Sequence, residues 1–387
     1  MVSFKNTSLR YTILKQWIKF GLHIYFRDIE VHGREHIPVN VPVIFAVNHP
    51  NTVLDALLTS CFVKQQPWFM ARGDVFRWKI FAWLFRTLRM LPIYREMDGH
   101  GKVRHNATTF ELSSRILGRG GSLIMFPEGS HNRQWRIRDM RRGVARIAES
   151  ASAKNPELVI IPVGITYFDP LYSFSDVLVQ FGEPIKAASY FTGETTEHKL
   201  DRQKKLVNDI GSQLEKLTLH LSQDHYEEVY QRVKSLEHNA PETNSLLEDF
   251  LRLKKWIEAC EADSNYGKPT EQSMTEQIKK KTFPALALFA TAPLWLMGKA
   301  FTIVPQLSIW ATTKKLKDDH YSGAIRFGMG IVIYTLLFFS IGLWSYLSTI
   351  TLFWFLIKWA FLTFCLFFVM LWEEHFDNFL DRRFNRD

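Results

Sequence analysis

Pro42-Val43-Ile44-Phe45-Ala46-Val47-Asn48-His49-Pro50-Asn51-Thr52-Val53-Leu54-Asp55 is the stretch on which the fold turns. Its first part, Val43 to Val47, is apolar without alternation, as a central strand covered on both faces requires. Such a strand delivers Asn48 and His49 to its carboxyl end, where open α/β sheets place their sites. Pro50 and Asn51 favour a turn, and the apolar spacing that follows starts a helix with Asp55 near its beginning.

Working outward, the region from Asp28 to Pro184 alternates short apolar runs with helical patterns, which predicts an α/β domain with a mixed central sheet flanked by helices. Further strands are expected over Trp68 to Arg72, Ser122 to Phe126, Leu158 to Thr166 and Asp176 to Phe181. Before this region, Ile13, Leu14, Trp17, Ile18, Phe20, Leu22 and Ile24 recur at helical spacing among Arg10, Lys15, Lys19 and Arg27. A basic amphipathic helix lying in a membrane interface fits that pattern, since about 20 uninterrupted apolar residues are needed to cross a bilayer. An ordinary core-packing helix is the alternative.

Residues 192–282 turn polar and helical and carry no catalytic signature. Beyond Phe283 apolar stretches are punctuated by Pro284, Pro293 and Pro305, read as a re-entrant pair or a shallow interfacial layer. Two strong runs follow, Ile331 to Leu347 and Thr349 to Trp372, which predict a transmembrane hairpin around Ser348. With Lys314, Lys315 and Lys317 on one flank and Arg382, Arg383 and Arg386 on the other, the positive-inside rule is met by an even number of crossings if both flanks are cytoplasmic. The expected segments are thus an interface helix over 1–27, an α/β domain over 28–191, a polar helical region over 192–282 and a C-terminal membrane region over 283–387.

A net charge of +9 admits nucleic acid, an anionic membrane surface or acidic small substrates as partners. No nucleic-acid-binding module is recognisable, and nucleic acid would leave the apolar tail unexplained. Cys61, Cys260 and Cys365 form no CxxC pair, so neither a disulfide framework nor a zinc site is indicated. The basic N-terminal stretch lacks a small-residue cleavage site, which predicts that the non-membrane portion stays in the cytoplasm. Bacterial inner membrane and endoplasmic reticulum both fit.

Four constellations carry chemistry, in one order along the α/β domain. First, His49 followed by Asp55 can act as a base with its orienting carboxylate, which fixes the imidazole tautomer and stabilises the imidazolium. Second come Arg72 in Phe69-Met70-Ala71-Arg72 and Arg95 in Leu91-Pro92-Ile93-Tyr94-Arg95, whose forked guanidinium suits a phosphate. Third is Phe126-Pro127-Glu128-Gly129-Ser130-His131, where a strand stops and a Glu-Gly turn reaches the same sheet edge. Fourth is Ile160-Ile161-Pro162-Val163-Gly164, a buried strand interrupted in a way that suits close approach of substrate or an edge position. Neither a Gly-x-Ser-x-Gly elbow nor a His-Glu-x-x-His metal motif occurs, which argues against a hydrolase.

The ordered set, from about Asn40 to Pro184, resembles the glycerolipid acyltransferases, the group that contains glycerol-3-phosphate and 1-acylglycerol-3-phosphate acyltransferases. The resemblance implies a catalytic pair in His49 and Asp55. It implies phosphate binding by Arg95, Glu128, Gly129 and Arg72, and an acyl or donor site near Pro162 and Arg142. The implied reaction is direct transfer of a fatty acyl group from acyl-CoA or acyl-carrier protein to an acceptor hydroxyl, with no metal and no other cofactor. 1-Acylglycerol-3-phosphate is the favoured acceptor. Glycerol-3-phosphate, or a non-catalytic lipid-binding role, is the alternative. Membrane lipids and the acyl donor are the expected partners.

One departure stands out: five residues, Pro50 to Leu54, separate His49 from Asp55, where most members of the family have four. In a regular helix the extra residue would rotate Asp55 by about 100°, so the link must be partly loop. A subgroup resembling yeast-type glycerol-3-phosphate acyltransferases and bacterial relatives shares this spacing.

Overall fold

A computed structural model of the chain describes residues 8–73, 88–94, 106–168, 175–191, 198–222, 225–238, 243, 245–262, 285–314, 322–348, 351, 353–361 and 364. It divides into two compact units, residues 1–274 and 275–387.

The first unit is built on a sheet of β1 (Asp28–His32), β2 (Val43–Val47), β3 (Trp68–Arg72), β4 (Met90–Ile93), β5 (Ser122–Met125), β6 (Val159–Tyr167), β7 (Asp176–Phe181) and β8 (Ile185–Lys186). The order across the sheet is β1-β7-β6-β2-β5-β3-β4, with β8 also on β6. Pairing is parallel from β6 through β4 and between β1 and β7, and antiparallel where β6 meets β7 and β8. The expected mixed α/β sheet is therefore present, with β2 between β6 and β5. β1 and β8 escape the sequence reading because charged residues break up their apolar positions, and β4 because Pro92 stands inside its short apolar run.

Every residue of β2 is buried, and its alternation divides it between two layers. Ile44 and Ala46 join a core with Ile116 and Leu117 of α3 (Asn106–Gly118), Val144 and Ala148 of α4 (Gly143–Ser152), and Leu206 and Ile210 of α5 (Lys199–Leu217). Phe45, out of phase with them, meets Phe181 edge-on at 6.3 Å. A second core gathers Leu178 of β7 with Val229 and Val233 of α6 (Tyr226–His238) and Phe250, Leu253 and Ile257 of α7 (Leu246–Ala262).

At the N-terminal side, α1 (Leu9–Tyr25) packs on α2 (Thr52–Phe62), and Tyr11 and Leu22 are buried. Leu9, Ile13 and Phe20 stay exposed on its other face. The helix is thus a core-packing element on one side and an apolar surface on the other.

Pro162 and Gly164 owe their place in β6 to its neighbours. Antiparallel pairing passes from β8, at Val159 and Ile160, to β7, starting at Val163. Pro162 sits at that handover, where its carbonyl accepts from Gly182 N at 2.8 Å and its side of the strand has no continuous ladder to supply. A Cβ on Gly164 would lie 2.2 Å from the Leu217 carbonyl oxygen. The close approach foreseen for substrate is instead that of the end of α5.

In the second unit, α8 (Ala285–Lys314) runs through Pro293 and Pro305 as one helix and not as a re-entrant pair. A proline inside a helix removes only its own N–H bond, and a 30-residue apolar helix keeps the rest of its ladder. α9 (Ser322–Leu347) contains a 20-residue segment, Ile325–Trp344, long and apolar enough to cross a membrane. Of the second predicted run, residues 353–361 are helical. Its remainder and Arg382, Arg383 and Arg386 lie largely outside the described residues.

Candidate active site

Three neighbouring strands, β2, β5 and β6, end side by side because they run parallel, so the residues that follow them share one edge of the sheet. Asn48 and His49 leave β2, Phe126 to Ser130 leave β5, and Tyr167 closes β6. Asn48 locks the first of these to the third. Its amide accepts from Ile165 N at 2.8 Å and donates to Ile165 O at 2.9 Å, while its own N–H extends the ladder to Val163 O.

His49 Nδ1 donates to Asp55 Oδ2 across 2.9 Å. That choice of tautomer leaves Nε2 free to take a proton. The imidazole retains 13% exposure whereas Asp55 is sealed at 0%, so a reactant reaches the base and not its carboxylate. Phe126 stacks on the ring at 3.9 Å with planes 16° apart, and His131 meets it edge-on at 6.0 Å. The ring plane is thereby held from one face and from the carboxylate.

The five-residue link closes through a turn. Asn51 O accepts from Leu54 N at 3.0 Å, and Asn51 N donates to Asp55 Oδ2 at 2.8 Å. Thr52 takes φ +43, a left-handed conformation that a β-branched residue rarely adopts. This reversal absorbs the additional residue, so that α2 starts at Thr52 and carries Asp55 in its first turn, where the helix dipole favours a carboxylate. Burial nonetheless pushes the Asp55 carboxyl above its ordinary range; the His49, Tyr167 and Asn51 donors oppose that shift.

Glu128 lines the same pocket, but its oxygens are committed within the protein. Oε1 accepts from His49 N at 3.0 Å, and Oε2 lies 3.4 Å from Arg138 Nε. The residue expected on the acceptor phosphate thus clamps the backbone of the base, and its buried carboxyl is pushed up by desolvation despite those donors. Gly129 permits the turn beside it: at φ +74 its N–H reaches Phe126 O at 3.0 Å. Arg138 also donates to the Ser130 carbonyl and hydroxyl.

Two of the remaining sequence candidates, Pro162 and Arg142, are not drawn to this point. Pro162 is buried inside β6, and Arg142 is exposed at the start of α4. Neither lines the pocket, to which β6 contributes Ile165, Thr166 and Tyr167 instead. Arg72 ends β3; its side chain and all of Arg95 lie outside the described residues.

Two contributions were invisible in the sequence. Tyr167 donates its hydroxyl to Asp55 Oδ1 at 2.7 Å, from 112 residues away. The polar helical region, which carries no motif, fixes the loop after Glu128: Trp135 O accepts from Leu221 N, Trp135 N donates to Tyr226 Oη, and Ile137 N donates to His220 Nδ1. Thr218 and Leu219 from that region complete the pocket wall. Only distance in space could have revealed either.

Residues 28–166 match the family model described as Acyltransferase. The 1-acyl-sn-glycerol-3-phosphate acyltransferase of Streptococcus pneumoniae is 29% identical over 181 residues, covering 45% of this chain and 62% of that protein. Glycerol-3-phosphate O-acyltransferase 1 of Saccharomyces cerevisiae is 29% identical over 295 residues, covering 52% of this chain and 38% of that protein. The chain therefore spans less than two thirds of either relative. Among solved structures, the 1-acyl-sn-glycerophosphate acyltransferase PlsC of Thermotoga maritima aligns with a TM-score of 0.40 and 20% identity, over 54% of this chain and 79% of that one. The segment 28–166, which seats the His49–Asp55 pair at the carboxyl edge of its sheet, is thus similar to the acyltransferase family.

Proposed function

We propose that this chain is an O-acyltransferase of phospholipid synthesis that transfers a fatty acyl group from acyl-CoA or acyl-carrier protein to the free hydroxyl of 1-acylglycerol-3-phosphate, giving phosphatidic acid. The observation that carries this reading is the 2.9 Å contact of His49 Nδ1 with Asp55, which leaves Nε2 as the accessible base. The acceptor hydroxyl gives its proton to Nε2 as its oxygen attacks the thioester carbonyl. The tetrahedral intermediate then collapses, the C–S bond breaks, and the imidazolium returns the proton to the departing thiolate. Asp55 stabilises the imidazolium through the middle of this sequence. No acyl-enzyme forms, and Cys61 has no part in it: buried beneath α1, its thiol is pushed up to about 12 by desolvation and stays protonated.

The basic segment Arg133, Arg136, Arg138, Arg141 and Arg142, together with Arg72 and Arg95, supplies charge for the phosphates of acceptor and donor. The apolar surface of α1 and the apolar segment of α9 hold the enzyme at a membrane, with the catalytic domain on the cytoplasmic side. Glycerol-3-phosphate is the second reading for the acceptor, favoured by the longer stretch matched in the yeast relative. Purified protein in detergent, given acyl-CoA and each acceptor separately, decides between them. His49→Ala and Asp55→Ala should abolish or nearly abolish transfer, and full transfer by the His49 variant would sink the mechanism.

A further inference from the structure

Asp55 is fully buried, and its two oxygens are served from different directions. Oδ2 receives His49 Nδ1 and Asn51 N, both from its own segment of chain. Oδ1 receives the Tyr167 hydroxyl at 2.7 Å, from the last residue of β6. Tyr167 is itself 3% exposed, and the Phe26 ring lies against it at 5.9 Å, so the phenol has little freedom to turn away. Among the described residues Oδ1 has no other donor.

We propose that Tyr167 is a positioning residue for acyl transfer, setting the carboxylate plane of Asp55 so that Oδ2 addresses His49 Nδ1, in a fixed Tyr167–Asp55–His49 chain of hydrogen bonds. The inference rests on the acyl-transfer reading of the site. A carboxylate held by one oxygen can rotate about its Cβ–Cγ bond; held by both, it presents a fixed lone pair to the imidazole. The phenol keeps its proton throughout, since burial and the neighbouring carboxylate push its ionisation well above the ordinary tyrosine value. Asp55 and, from α1, Tyr25 are the titratable groups that face it. The hydroxyl therefore acts as a permanent donor, and no proton passes through it.

Tyr167→Phe removes one oxygen and keeps the ring. A hydrogen bond to a charged group contributes about 1.5–3 kcal/mol, which corresponds to a fall in kcat of roughly 10- to 150-fold. KM for the acceptor should stay within about twofold, because the lost contact is to Asp55 and not to substrate. The acidic limb of the kcat–pH profile should move to higher pH, since the pair loses a donor that favours its ionised carboxylate. In an Asp55→Asn background the same substitution should cost less than about threefold, as two residues acting through one contact require. Independent multiplication of the two effects, an unchanged kcat and pH limb, or a KM change alone would overturn the inference. So would a Tyr167→Phe protein that does not fold, since the hydroxyl would then be structural. Wild type and His49→Ala run alongside separate the two claims: a His49→Ala enzyme of full activity refutes the acyl-transfer mechanism itself, whatever Tyr167→Phe does.

Discussion

Thr52→Gly should make the protein more stable and less active. Thr52 sits between the base and its carboxylate at φ +43, and its buried hydroxyl has no hydrogen-bond partner among the described residues. The left-handed conformation costs a residue with a Cβ about 1–2 kcal/mol, and an unsatisfied buried hydroxyl about 1–3 kcal/mol. Glycine relieves both. Against that stand about 0.5–1 kcal/mol of extra backbone freedom in the unfolded chain and about 0.8 kcal/mol for the lost methyl. The balance favours glycine by about 2 kcal/mol, the sum of those four terms at mid-range. In a unit of this size that is a rise in Tm of roughly 4–8 °C. Thermal unfolding in a fixed detergent, followed by tryptophan fluorescence, measures it, with Thr52→Ala as the control that removes the hydroxyl and keeps the backbone cost. The expected order of Tm is Gly above Ala above Thr. At the same time kcat should fall, because a freer residue 52 no longer fixes the rise of Asp55 toward His49. A glycine variant that unfolds below wild type, or an alanine variant that gains as much as glycine, would refute the account of the five-residue link.

Two further outcomes follow from the same geometry. Glu128→Gln keeps an acceptor for His49 N but ends the charge pairing with Arg138. A loss of about 1–2 kcal/mol in holding the base should lower kcat roughly 5- to 30-fold while acceptor KM rises less than threefold; a variant defective in KM alone would return Glu128 to the phosphate. Lys15, whose ammonium donates to the Val63 and Gln65 carbonyls, is lowered by burial from 10.5 to about 8. Between those values the unfolded chain binds more protons than the folded one, so this group adds stability as pH rises from about 8 toward 10.5. Denaturant midpoints of wild type and Lys15→Met at pH 7.5 and 9.5 should therefore show wild type gaining relative to the variant, and a constant difference would count against a buried ammonium.

How much was legible depended on whether a signal was local. The uninterrupted run Val43 to Val47 announced a central strand, and the parallel neighbours it implied brought Glu128 to the same edge as His49. Trp68–Arg72 and Asp176–Phe181 were legible for the same reason, as apolar runs between polar boundaries. Proline reads as a helix breaker along the chain, which favours a re-entrant pair, whereas the one bond each proline deletes does not interrupt the 30-residue apolar helix α8. Glu128 was read by motif as a phosphate residue, and no pattern along the chain says that its carboxylate faces a backbone N–H 79 positions earlier.

The sequence by itself determined that an imidazole stands at the end of a buried strand, that a carboxylate follows after five residues, and that the linking segment cannot be regular helix. These are matters of residue identity, hydrophobic period and helical pitch, all of which act over a few residues. Only the tertiary structure decided how the link closes, through a left-handed Thr52, and what surrounds the pair it joins. Tyr167, Glu128 and the loop held by Leu221 and Tyr226 reach His49 and Asp55 because parallel strands and packed helices bring distant segments together. Burial of Asp55 is a property of that assembly and of no segment within it.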